Sequence, residues 1–221
     1  MLMQADIFAG FDPATVQAIR ASQAKDRQAA GRARATKSQS RHQFRRAKAE
    51  ATLKDILPAA FTPGDSWHII SHGDIDALSY LSHAIQGVSH FDYVALSTWC
   101  IAKPDIEQIA AWLDAGRIDT FELYAGEIFP NQYGDEYEAM QQLCDTYGCK
   151  LVIAKNHSKV TLASCEASGT YLAMESSANV NTNPRIEQTA IHASRDLFDF
   201  YREFFSELRS IDRASANRHK V

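Results

Sequence analysis

At 221 residues the chain has room for one well-buried domain and an appendage, and not for two domains of ordinary size. Its 45% hydrophobic and 23% charged residues exclude wholesale disorder, and no run approaches the roughly eighteen apolar residues of a membrane-spanning helix. The net charge of -4 is unevenly spread: between Arg20 and Ala49 ten Lys and Arg face one Asp, giving +9 there and -13 elsewhere.

The opening MLMQADIFAGFDPATV has neither a basic leader nor a continuous apolar stretch, so a soluble, cytoplasmic protein is expected. Asp12-Pro13 reads as a cap and first turn of a helix. The next thirty residues are rich in Ala, Arg, Gln and Lys, with almost no apolar stripe before Leu53 and Ile56. We read residues 1–57 as a basic helical arm, with Arg32, Arg34, Lys37, Arg41, Arg45, Arg46 and Lys48 available to phosphates, or else as a solvated face. Pro58 and Pro63-Gly64 punctuate the chain, which places the boundary of the main domain, 58–221, at this point.

Strand and helix patterns then alternate. Strands are predicted at 67–71, 93–98, 120–124 and 150–154, and helices at 74–85, 104–115 and 136–147. Three strand-helix units in succession predict an α/β sandwich with a mixed, largely parallel sheet. From residue 159 the rhythm changes to two close strands, 160–163 and 170–174, joined by CEASG. A final helix, 196–208, carries Phe198, Phe200, Phe204 and Phe205 and reads as core-packing. The four cysteines, Cys100, Cys144, Cys149 and Cys165, form no CxxC pair and read as free thiols with no zinc site.

The chemistry concentrates between Asn156 and Glu187. His157 and Lys159 form an HxK pair. On a strand the one-residue gap would put imidazole and ammonium on one face, able to meet a single phosphate. Downstream come Ser176-Ser177-Ala178-Asn179 and then Glu187 within NPRIEQTAIH. This order of HxK, hairpin, Ser-Ser-x-Asn and Glu, between an apolar strand and a closing helix, resembles the phospholipase D superfamily over roughly residues 65 to 210.

The resemblance implies a phospholipase-D-like fold and a metal-independent phosphodiesterase with no cofactor. His157 would be the nucleophile, passing through a phosphohistidine, and Glu187 would orient a histidine. Lys159 and Asn179 would hold the phosphorus oxygens, with Ser177 and Ser176 adding contacts. The family's reaction uses two histidines, and the other seven histidines lack a lysine two positions on, so a homodimer joining two half-sites is implied. The longer family pattern has an Asp five residues after the lysine, where this chain has Ser164. The tyrosyl-DNA phosphodiesterase branch works with His, Lys and Asn and without that Asp. Nucleic acid is the expected substrate, as nuclease or DNA-processing enzyme. The second reading is a module that binds nucleic acid or an assembly partner without turnover. Lipid hydrolysis is disfavoured because no amphipathic anchor is evident.

His72, in His72-Gly73-Asp74-Ile75-Asp76, is a secondary substrate-binding candidate, since this loop should open on the carboxyl edge of the sheet. The plainer reading makes Asp74 a helix cap and Gly73 a turn. Trp99 either stacks a base or fills the core, and the core reading is preferred.

Overall fold

The computed structural model describes residues 38–180 and 185–211. The chain divides into compact units at 1–41 and 42–221, and only the start of one helix is described in the first. That helix, α1 (Ser38–Ile56), leads into β1 (Ser66–Ser71), α2 (Ala77–Val88), β2 (Phe91–Thr98), α3 (Lys103–Asp114) and β3 (Ile118–Gly126). There follow α4 (Phe129–Gln132), α5 (Gly134–Tyr147), β4 (Lys150–Ala154), β5 (Val160–Cys165), β6 (Thr170–Ser176), β7 (Glu187–Ala193) and α6 (Arg195–Glu207).

The seven strands form one sheet in the order β1-β7-β6-β5-β2-β3-β4. Only β2–β3 and β3–β4 pair in parallel, while β1–β7, β7–β6, β6–β5 and β5–β2 are antiparallel. The expectation of a largely parallel sheet is therefore corrected to a mixed, mostly antiparallel one. The cause lies after β4, where no helix separates successive strands. Adjacent strands joined without a crossover helix must run in opposite directions. β7 was not anticipated either, although its residues alternate between buried Glu187, Thr189, Ile191 and Ala193 and more exposed neighbours. Even so, β1, β2, β3, β4 and β6 all point one way, so their carboxyl ends share an edge with the starts of β5 and β7.

Both faces of the central strands are buried. One face packs against α1, α2, α3 and α5, through residues such as Leu53, Leu78, Leu81, Ile109 and Met140, and the other against α6 through Phe198 and Phe205. Phe198 and Phe205, seven apart, share one side of α6, whereas Phe200 and Phe204 lie off that side and are 62% and 57% exposed. Two of the four phenylalanines assigned to the core are thus on the surface. Helix α2 is capped by Asp76, whose carboxylate accepts from the Ser79 N–H, rather than by Asp74, because the helix begins three residues later than its periodicity suggested. Gly73 does make the turn, with φ of 77°.

Helix α1 contributes Ala49, Leu53 and Leu57 with its following residue to the main core. Arg46, expected among the phosphate-facing residues, is 7% exposed and ion-paired with Asp76 (3.4 Å) and with Asp105 in the first turn of α3. A guanidinium so enclosed is committed to the interior, and the two carboxylates outweigh desolvation to raise its pKa. Arg45 and Lys48 remain exposed on α1, Arg41 falls in its first turn, and Arg32, Arg34 and Lys37 lie outside the described residues.

Candidate active site

The shared strand edge gathers the chemistry. Antiparallel pairing sets Ser71 at the end of β1 against Glu187 at the start of β7, and Ser176 against Thr189. On the other side Val160, directly after Lys159, pairs with Ser97 near the end of β2. Residues 155–159, 176–180 and 187, far apart in the chain, therefore meet at one edge.

His157 and Lys159 lie in the loop before β5 and not on a strand as expected. They are nonetheless together: the Lys159 Nζ is 3.4 Å from His157 Nδ1 and donates to the His157 carbonyl at 2.9 Å. His157 is exposed, and its ring meets the half-buried Trp99 edge-on at a centroid distance of 5.2 Å. Trp99 belongs to neither core cluster, so the core-filling reading gives way to a contact with the histidine.

The loop is held from beneath by Asn156, which is 9% exposed. Its amide nitrogen donates to Ser97 Oγ (2.9 Å) and to the Tyr124 carbonyl (2.7 Å). Its carbonyl oxygen accepts from the backbone N–H and hydroxyl of Ser158. Every polar atom of that buried amide thus has a partner, which is what fixes a loop in one conformation. Gly126, ending β3, is needed for the same packing: a Cβ there would lie 2.4 Å from Trp99 Cδ1 and 3.0 Å from the Asn156 carbonyl oxygen. Sequence reasoning assigned no role to Asn156 or Gly126. The available signal was their position, one directly before the histidine and the other closing a buried strand.

Glu187 is 8% exposed and accepts a hydrogen bond from Ser177, whose hydroxyl also accepts from the Gln188 N–H at 3.0 Å. Its carboxylate is thus engaged by a serine rather than by the histidine it was expected to orient. It also acts on Lys159: loss of solvent lowers the lysine pKa, and the charges of Glu187 and Cys100 oppose that shift. The Ser176 backbone N–H donates to the Lys159 carbonyl (2.9 Å), tying the two loops together. The buried Oδ1 of Asn179 has no hydrogen-bond partner among the described residues. His72 is exposed beside Ser71, one residue beyond the strand pair that holds Glu187. Ser164, at the position of the family's Asp, is buried within β5 between Tyr93 and Tyr171.

No family model matches the chain, and no curated protein matches it. Among solved structures, the chain is similar to polyphosphate kinase from Porphyromonas gingivalis, a phospholipase-D-superfamily fold, with a TM-score of 0.50 and 14% identity. The fold is similar to phospholipase-D-like folds. That alignment covers 68% of this chain and 27% of the kinase, so the chain spans about a quarter of that protein's length. An archaeal chromatin protein, TrmBL2, solved with a novel mode of DNA binding, aligns over 89% of this chain and 68% of its own, with 8% identity and a TM-score of 0.48. Phosphatidylserine synthase from Haemophilus influenzae aligns over 64% and 37%, with 13% identity and a TM-score of 0.43. Among the described residues no helix is long and apolar enough to cross a membrane.

Proposed function

We propose that the chain is one half of a metal-independent phosphodiesterase acting on nucleic acid, completed by a second copy across a two-fold axis. The observation that carries this reading is the approach of the Lys159 ammonium to His157 Nδ1 at 3.4 Å, on the edge where Ser177, Asn179 and Glu187 also converge. An anionic phosphodiester entering there would draw the ammonium onto its non-bridging oxygens, and hydrogen bonds that are long in the free protein tighten around the reacting group. Removal of Lys159 from Nδ1 leaves that nitrogen able to carry a proton, so the other nitrogen, Nε2, presents its lone pair to phosphorus.

In the first step Nε2 of His157 bonds to phosphorus and the P–O bond to the leaving group breaks. His157 of the second copy supplies the proton that the departing oxygen takes up. In the second step water, deprotonated by that same imidazole, attacks phosphorus and the P–N bond breaks, restoring both rings. Lys159 and Asn179 hold the oxygens on which charge accumulates. Exposed Arg45 and Lys48, with the rest of the basic stretch between Arg20 and Ala49, favour a polyanionic substrate.

A second reading, a binding module without efficient turnover, is favoured by two particulars: Ser164 stands where the family pattern has a carboxylate, and Glu187 is bonded to Ser177 instead of a histidine. The deciding experiment is hydrolysis of bis(p-nitrophenyl) phosphate and of single- and double-stranded DNA in EDTA, wild type beside His157→Ala. Turnover that survives the chelator and falls by about 10²–10⁴-fold in the variant is expected. No turnover in wild type, with DNA still bound, selects the binding module.

A further inference from the structure

The edge of the sheet opposite the candidate active site carries a second cluster. His90, just before β2, places its Nε2 at 3.2 Å from Asp92 Oδ1 and 3.2 Å from Asp119 Oδ2. The register that pairs Phe91 with Ile118 and Tyr93 with Thr120 sets Asp92 and Asp119 next to each other on parallel strands. Like charges side by side on one sheet face repel, so the pair calls for a cation between them.

From this geometry we infer that His90, Asp92 and Asp119 form a binding site for a divalent transition metal, Zn²⁺ by ligand preference, that pins together the starts of β2 and β3. Two of the three spacings suit an ion in the middle. Two ligands about 2.0–2.1 Å from a tetrahedral zinc stand about 3.3 Å apart, close to both observed separations. The same separations lie at the long end of the hydrogen-bond range, where an imidazolium shared between the two carboxylates stands in for the ion.

The surroundings prepare the ligands as a metal requires. His90 Nδ1 lies 3.1 Å from the Gly116 carbonyl, which can only accept, so Nδ1 carries a hydrogen and Nε2 is the nitrogen that faces the two carboxylates, a ligand once it gives up its own proton to an entering ion. A carbonyl on the far ring nitrogen is the usual outer partner of a metal-bound histidine. Asp92 is held likewise: its other oxygen accepts from the Glu166 backbone N–H at 2.6 Å, which leaves Oδ1 aimed at the cluster. The three ligand atoms lie within 4.8 Å of one another, and Asp119 is 61% exposed, so an ion has a solvent route and water can take the fourth position.

One imidazole with two carboxylates suits zinc or cobalt, whereas magnesium prefers oxygen ligands alone in octahedral array. The 8 residues of β2 separate this cluster from His157 by about 25 Å, so the site stands whether or not the chain cleaves phosphodiesters.

The test uses the full chain stripped of metal, titrated by calorimetry with ZnCl₂ and separately with MgCl₂, with thermal melts alongside. One Zn²⁺ per chain, a rise in Tm with Zn²⁺ but not Mg²⁺, and weaker binding as pH is lowered and protons compete for the imidazole are expected. Asp119→Asn, at an exposed position, and His90→Gln should each weaken binding by more than the about 10–100-fold typical of losing an outer partner. A Cys144→Ser, Cys149→Ser chain should bind as wild type does. The inference is overturned by the absence of saturable Zn²⁺ binding, which would leave an imidazolium ion pair only. Binding that survives both ligand variants, or that disappears with the cysteines, would overturn it equally.

Discussion

Two groupings of charge lie at the same end of the molecule and differ in how they are finished. Arg46 is enclosed between Asp76 and Asp105 at the starts of α2 and α3, at 3.4 Å from the first, with almost no solvent access. His157, Lys159 and Glu187 stand at the sheet edge above the strands, with the histidine exposed and the lysine half-buried. The closed cluster has its charges balanced from within the chain, and removing a member leaves a bare buried charge. The open one keeps an ammonium and an imidazole partly free of internal partners, which suits the anion-binding role proposed for it. Charge enclosed with its opposite serves the fold, and charge left open is where function is to be sought.

The largest expected effect breaks the closed cluster. Arg46→Ala should destabilise the chain by about 3–5 kcal/mol, because Asp76 and Asp105 are left buried without their cation. Chemical denaturation checks the loss, and a value below about 1 kcal/mol would mean that water replaces the guanidinium readily. Turnover per folded molecule should be unchanged, which separates this cluster from the open one.

A smaller effect is expected in the pH profile of the open site. Burial lowers the pKa of Lys159 against the opposing charges of Glu187 and Cys100, so the ammonium is lost at a lower pH than for an ordinary lysine near about 10.4. The alkaline limb of kcat/KM should therefore fall below that value, and Lys159→Arg should move it upward. Stability responds with the opposite sign. The folded chain holds this proton less tightly than the unfolded one, so Lys159 adds stability as pH rises through its lowered pKa. An alkaline limb unchanged by the arginine would dissociate Lys159 from the reacting phosphate.

The smallest effect is expected at exposed Phe200, where Phe200→Ser should change stability by no more than about 0.5 kcal/mol, against about 3–5 kcal/mol for Phe205→Ala in the core, a loss as large as that at Arg46. Parallel thermal melts of the two variants test whether the exposed and buried phenylalanines differ as their packing implies.

Much of this was legible in the linear pattern. Apolar period and turn residues located β1 to β6, α2, α3, α5 and α6 to within a few residues, because a strand or helix that buries one face must repeat its apolar positions at its own period. The HxK, Ser-Ser-x-Asn and Glu order singled out residues that do meet at one edge. Strand neighbours were not legible. Pairing is made between distant segments by hydrogen bonds common to every residue, so nothing in KVTLASC says that it lies beside β2 rather than β4. The fate of each charge was equally hidden: Arg45 and Arg46 are adjacent and chemically identical, yet one faces water and the other two carboxylates.

What the sequence by itself determined is local: which segments are strands or helices, where they turn, and which side chains could do phosphate chemistry. Tertiary structure alone decided the mixed sheet, the engagement of Glu187 by Ser177, the Asn156 support under His157 and the meeting of His90 with two aspartates. The physical reason is one of range. Backbone preference and apolar period act within a few residues, whereas an ion pair or hydrogen bond between distant segments exists only once the packed core has brought them together.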